Sequence, residues 1–166
     1  MPFSIYPPPK SAKFRQSSNK ISKRRFLRLS KGHSLNFLYL LTEFTTQVPQ
    51  NLEITYGKQQ AETSLLTIHL KKARKKHPES YEISSTKGGL SLTAPTETGL
   101  FRGLASLKQI LRHCPQDLPY FEINDEPDFK NRGVMLDVSR CKVPTINSLK
   151  KLIDRFADLK YNQLQL

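Results

Sequence analysis

Arg132-Gly133-Val134-Met135-Leu136-Asp137-Val138 is the stretch on which the fold turns. Its apolar centre is nearly continuous, the pattern of a strand buried on both faces in a parallel sheet. Pro144 and Thr145 then open a helix whose apolar positions, Leu149, Leu152, Ile153, Phe156 and Leu159, recur at 3.6-residue spacing. A second strand, Tyr161-Asn162-Gln163-Leu164-Gln165-Leu166, follows with no turn signal after it. Strand, helix and strand make one βαβ unit. Alone it leaves sheet edges and a helix face unsatisfied, so more chain is expected and the protein reads as incomplete.

Upstream the pattern differs. Thr96 is an N-cap with acidic Glu97 in the first turn, and Leu100, Leu104, Leu107 and Leu111 form one stripe broadened by Phe101 and Ile110. Gly99 and Gly103 each cost that helix about 1 kcal/mol relative to alanine, so another backbone is expected close by. Pro115 ends it. Before it, Tyr81–Ser85 and Leu90–Ala94 flank Lys87-Gly88-Gly89, a hairpin signal, since glycine accepts the positive φ of a tight turn. Ser64–Leu70 alternates like a strand, and Arg25–Leu29 is short and strand-compatible. Phe37, Leu41, Phe44 and Val48 lie on one helix stripe that Ser34 could cap and Pro49 ends. The order is α+β: a sheet covered by helices.

The first twenty residues, rich in Pro, Ser and Lys, read as an extended or poorly ordered arm. At 166 residues and 37% hydrophobic content the chain has room and apolar material for one packed domain with a fragment of a second. It contains no apolar run long enough to span a bilayer, so no membrane partner is expected. Met1–Lys10 lacks the apolar region of a secretory signal, so either the location is cytoplasmic, the default, or this start is not the native one. Cys114 and Cys141 fit two reduced structural thiols, and His33, His69, His77 and His113 show no ligand spacing, so neither metal nor cofactor is expected.

Charge is lopsided. Residues 1–76 carry 15 Lys/Arg against three acids, Glu43, Glu53 and Glu62, and so hold almost all of the net charge of +13. It concentrates in Lys20, Lys23, Arg24, Arg25, Arg28 and Lys31, and in Lys71-Lys72-Ala73-Arg74-Lys75-Lys76. Such a field attracts polyanions, but neither run supplies stacking aromatics or a reading helix, so a solvated basic face is favoured over nucleic-acid binding.

Three motifs in order then carry a resemblance. Ile123-Asn124-Asp125-Glu126-Pro127-Asp128-Phe129-Lys130-Asn131-Arg132-Gly133, running on to Leu136-Asp137-Val138-Ser139-Arg140, resembles the entry into the catalytic domain of glycoside hydrolase family 20, the β-N-acetylhexosaminidases. Gly99-Leu100-Phe101-Arg102-Gly103 through Leu111 is similar to that family's helper-domain helix. Lys160-Tyr161-Asn162-Gln163-Leu164 is similar to the run into its second barrel strand. Here that strand reads Gln-Leu-Gln-Leu, where the best-known members carry His residues and an acidic pair at and beyond it.

The resemblance implies an extended arm over 1–14, a helper domain over 15–125, and over 126–166 the incomplete β-α-β start of a TIM (β/α)8 barrel. It implies removal of terminal N-acetylhexosamine from glycans, with retention. The sugar's own acetamido oxygen is the nucleophile, and a later Asp-Glu pair supplies the acid and the orienting carboxylate. That pair follows the fourth barrel strand, so no catalytic residue is assigned, and the chain is expected to be inactive by itself. Arg140 matches the arginine that binds the terminal sugar's outer hydroxyls, through its fixed fork of donors. Asp137 either orients Arg140 or satisfies local backbone groups. Arg132, at the opposite end of the strand, reads as structural. Asp125, Glu126 and Asp128 flank Pro127 and are expected to bond local amides. Two other readings are a non-catalytic carbohydrate-binding or interaction module, and a basic nucleic-acid-binding protein.

Overall fold

The structure is a computed structural model that describes residues 3–21, 26–30, 32–56, 64–71, 76–140 and 143–166. Cys141, Lys23, Arg24, Arg25, Lys31 and residues 72–75 of the second basic run lie outside the described residues. The chain divides into two compact units, Met1–Glu126 and Pro127–Leu166.

The first unit is built on β1 (Ser11–Lys20), β2 (Phe26–Leu29), α1 (Leu35–Gln47), β3 (Glu53–Tyr56), β4 (Ser64–Leu70), β5 (Tyr81–Thr86), β6 (Gly89–Ala94), α2 (Glu97–His113) and β7 (Asp117–Asp125). Its strands form one mixed sheet in the order β1-β7-β5-β6-β4-β2-β3. β1, β7, β5 and β6 pair antiparallel, while β6, β4, β2 and β3 pair parallel. The hairpin forms at the expected glycines, with Thr86 opposite Gly89 and Gly89 at φ 113°.

Alternation decides which face is covered. Tyr81, Ile83 and Ser85 of β5 and Leu90, Leu92 and Ala94 of β6 are buried, whereas Glu82, Ser84, Ser91 and Thr93 between them are less so. α2 packs on β4, β5 and β6 and against α1. Leu100, Leu107, Ile110 and Leu111 of α2 join Leu66, Ile68 and Leu92 in the core with no exposed surface. α1 adds Phe37, Leu41 and Phe44. Ser34 and Thr96 are the N-caps, accepting hydrogen bonds from the Phe37 and Gly99 amides.

Three features depart from the sequence reading. The arm is part of the unit: Phe3 and Ile5 are buried, Phe3 packs edge-on against Phe14 and Phe121, and β1 is an edge strand on β7. Burying two aromatic contacts outweighs the ordering cost that its Pro- and Ser-rich composition implied. β7 was hidden by Pro119, which sits opposite Ser18 where the β1–β7 register shifts and the ladder is already interrupted. β3 is a four-residue edge strand too short to carry a period.

The two helix glycines differ. A Cβ on Gly99 would overlap the Ser80 carbonyl oxygen, so here a backbone does approach. At Gly103 the obstacle is the Leu92 side chain, not a backbone. The helix starts are also tied together. Glu97 accepts hydrogen bonds from the Ser34 amide and hydroxyl, both at 2.6 Å, and its Oε1 lies 3.6 Å from His33 Nδ1. Burial opposes the Glu97 charge, but the Ser34 donors and His33 outweigh it and hold its pKa below the usual carboxylate range. The His33 side chain is 1% exposed and stacks on Phe37, and burial pushes its pKa below 6.5 despite Glu97.

The second unit holds β8 (Gly133–Met135), α3 (Ile146–Asp158) and β9 (Gln163–Gln165). β8 and β9 are parallel neighbours, Val134 beside Leu164 and Met135 beside Gln165, so strand, helix and strand form a βαβ unit as read. β8 is shorter than the span 132–138, and Met135 is 72% exposed rather than buried on both faces. None of the α3 residues is fully buried.

Gly99→Ala should gain about 1 kcal/mol in helix propensity and lose more to the clash, for which overpacking costs of about 1–3 kcal/mol are typical. Urea denaturation should therefore show a net destabilisation; a stabilised variant would refute the close approach. As pH falls, the unfolded chain protonates its His33 before the folded one does, so stability is present above about pH 7 and is lost on descent through 6.5. His69, also lowered by burial, acts in the same direction. The wild-type urea midpoint should drop between pH 7.5 and 5.5, and drop less in His33→Gln.

Candidate functional site

The site nominated by sequence lies at the C-terminal end of β8, and a clamp beneath that strand fixes its position. Arg132 donates from Nε to the Lys160 carbonyl at 2.9 Å and from Nη1 to the Phe129 carbonyl at 2.7 Å. Asn162 accepts from the Arg132 amide at 2.8 Å and donates to the Lys130 carbonyl at 2.7 Å. Its own amide donates to the Arg132 carbonyl at 2.9 Å. The start of β8 is thereby locked to the start of β9, a structural role for Arg132.

The turn delivering Asn162 is a Schellman motif. Tyr161 N donates to the Phe156 carbonyl, Lys160 N to that of Ala157, and the Phe156 and Tyr161 rings lie 5.2 Å apart. Lys160 takes the left-handed position, φ 63°, that glycine usually fills.

At the other end of β8, Leu136 N still pairs with the Gln165 carbonyl at 2.8 Å. Asp137 Oδ1 accepts from the Ser139 hydroxyl at 2.5 Å and the Ser139 amide at 2.8 Å, and these bonds, the hydroxyl's first, hold its pKa below the usual range. Its Oδ2 lies 3.9 Å from Arg140 Nε, farther than its oxygen contacts with Ser139. The Arg140 side chain is 85% exposed.

Two of the carboxylates near Pro127 reach distant partners in addition to any local ones. Asp125 Oδ2 accepts the Tyr81 hydroxyl at 2.7 Å and Oδ1 accepts the Lys10 amide at 3.2 Å. Glu126 pairs with Lys10 Nζ at 3.2 Å. β7 runs on to Asp125 beside Tyr81, which offers partners that a local turn would not. The Tyr81 hydroxyl also meets Ser106 Oγ at 2.7 Å, giving a polar network under α2. Burial, then the Asp125 charge, pushes the Tyr81 hydroxyl far above its ordinary value, so it stays a donor. Sequence reading missed this network, because Tyr81 and Ser106 each fit an amphipathic pattern without it. It also missed the Arg102–Glu79 ion pair, 2.7 Å long and nearly buried.

The model of glycosyl hydrolase family 20, domain 2, matches residues 3–126. The chain belongs to this family. A family relative, the β-hexosaminidase of Porphyromonas gingivalis, is 36% identical over 94 residues, 51% of this chain and 12% of that protein. The β-hexosaminidase of Akkermansia muciniphila is 34% identical over 91 residues, 53% of this chain and 18% of its own length. The chain thus spans less than a fifth of these two relatives. Among solved structures, the Streptomyces plicatus N-acetyl-β-hexosaminidase in complex with Thio-NAglucal superposes with a TM-score of 0.78 at 24% identity, covering 96% of this chain and 33% of that one. The Vibrio harveyi family 20 exo-β-N-acetylglucosaminidase in complex with N-acetylglucosamine gives 0.79 at 18% identity, covering 99% and 25%. At these identities the likeness shows the shared fold.

Removing the Tyr81 hydroxyl should leave Ser106 buried with one partner fewer and Asp125 short of a donor. Tyr81→Phe is expected to cost about 1–3 kcal/mol, read as a lowered urea midpoint; an unchanged midpoint would show that the network contributes nothing to stability.

Proposed function

We propose that this chain is the helper domain and the first β-α-β segment of the catalytic barrel of a β-N-acetylhexosaminidase. The complete enzyme would release terminal N-acetylhexosamine from glycans by substrate-assisted, retaining chemistry. The observation that carries this is the parallel pairing of Val134 with Leu164 across α3, directly after a domain of the family 20 type. A right-handed strand-helix-strand unit is the repeating element of a (β/α)8 barrel, which needs about 250 residues when whole. Relatives many times longer than the matched region support the same reading.

On this reading Arg140 is a sugar-binding residue. It follows the C-terminal end of the first barrel strand, the end at which such barrels gather function. Its exposed guanidinium can donate to two vicinal hydroxyls, and Asp137 biases its orientation. The acid and the orienting carboxylate would belong to later strands, so the chain itself performs no hydrolysis.

Homogeneous chain incubated with a chromogenic N-acetylglucosaminide should release no chromophore above a buffer blank. Turnover that co-purifies with the chain and follows its concentration would overturn the proposal.

A further inference from the structure

The basic run Lys71–Lys76 plays no part in the reading above, and the fold gives its two ends a location. Both Lys71 and Lys76 line a cleft of about 440 Å³ in the first unit, where β4, β6 and β7 finish and β1 and β5 begin. That volume falls within the range of about 300–1,000 Å³ that holds small organic ligands, and exceeds what a bare ion would fill. Ala94 and Pro95 give it an apolar wall.

The polar groups of the lining are unevenly satisfied. Lys10 is paired with Glu126 at 3.2 Å and Lys76 with Glu82. Asp125 takes the Tyr81 hydroxyl and the Lys10 amide. The three carboxylates of the lining are therefore engaged. Among the described residues, Lys71 has no carboxylate partner. Ser80, 7% exposed, also lines the cleft, and its hydroxyl is buried without a hydrogen-bond partner. A buried hydroxyl left unpaired is unfavourable, so its persistence is a sign of a partner supplied from outside the fold.

The Ser80 backbone is rigidly held. Its amide donates to the His77 carbonyl at 2.9 Å, its carbonyl packs against Gly99, and Glu79 beside it is tied to Arg102. A fixed donor and an uncompensated cation lining one cleft are elements that can recognise an oxyanion.

We propose that this cleft binds a monosaccharide-sized molecule bearing one oxyanion group, with Lys71 and Ser80 as donors to that group and the Ala94–Pro95 wall against its body. Its lining residues all belong to the first unit.

The test is a titration of the whole chain, followed by two-dimensional NMR, with glucuronate, N-acetylglucosamine 6-sulfate and glucose 6-phosphate, and with N-acetylglucosamine as the neutral control. At least one anionic sugar should saturate at millimolar concentration, with shifts centred on Ser80 and Thr93, and the ranking of the three identifies the oxyanion. Lys71→Gln should weaken binding about tenfold, the loss of one charge-assisted contact. Ser80→Ala should weaken it several-fold, and raised salt should weaken it further. Lys71 is exposed and the Ser80 hydroxyl is unpaired, so neither variant threatens folding. Absence of saturable binding by all three anionic sugars, equal binding of the neutral sugar, or affinity unaffected by both cleft variants would each overturn the proposal.

Discussion

The first unit depends on how closely α2 can lie on the sheet, and Gly99 sets that distance. With no Cβ there, the helix start settles onto the Ser80 carbonyl, and Tyr81, the next residue, is carried under the helix where its hydroxyl meets Ser106. Tyr81 in turn holds Asp125 at the end of β7. β7 pairs with both β5 and β1, so the same contact reaches the edge of the sheet. A larger residue at Gly99 would lift the helix and slacken every link in this series. Gly103, one turn on, leaves room for the Leu92 side chain.

The two units satisfy their surfaces differently. In the first, apolar side chains from seven strands and two helices close over one core. In the second, Phe129, Met135, Val143, Ile146, Ile153 and Leu159 are exposed, although α3 has a well-separated apolar stripe. Local order there comes from polar clamps instead: Arg132 and Asn162 tie the strand starts, and a Schellman turn ends the helix. Such clamps fix geometry without burying much area. They suit a segment whose apolar faces are to be covered by further barrel elements, which is the role proposed for it.

Much of this was legible in the sequence where the determining contact is local. The Ser34, Thr96 and Thr145 caps, the Lys87-Gly88 turn and the α2 stripe all rest on neighbours within about four residues, and periodicity reports those directly. The family motifs were legible for the same reason, as continuous runs. β1 and β7 were obscured because what makes them strands is each other: Ser11 pairs with Asn124, more than a hundred positions away, and the buried Leu118 is out of step with Phe121 and Ile123, with Pro119 between them.

By itself, then, the sequence determined the order of most elements, most of their ends, the close backbone approach at Gly99 but not the side-chain contact at Gly103, the family and the arginine that follows the first strand of the second unit. Tertiary structure alone decided where each buried polar group finds its partner. Asp125 could not be matched to Tyr81 and Lys10 from spacing, nor Glu97 to Ser34, and nothing in the chain announced that Lys71 and Ser80 share a cleft. The physical reason is that hydrogen bonds and ion pairs act over about 3 Å, whereas the residues making them lie tens of positions apart and meet only once the sheet has fixed its strand order.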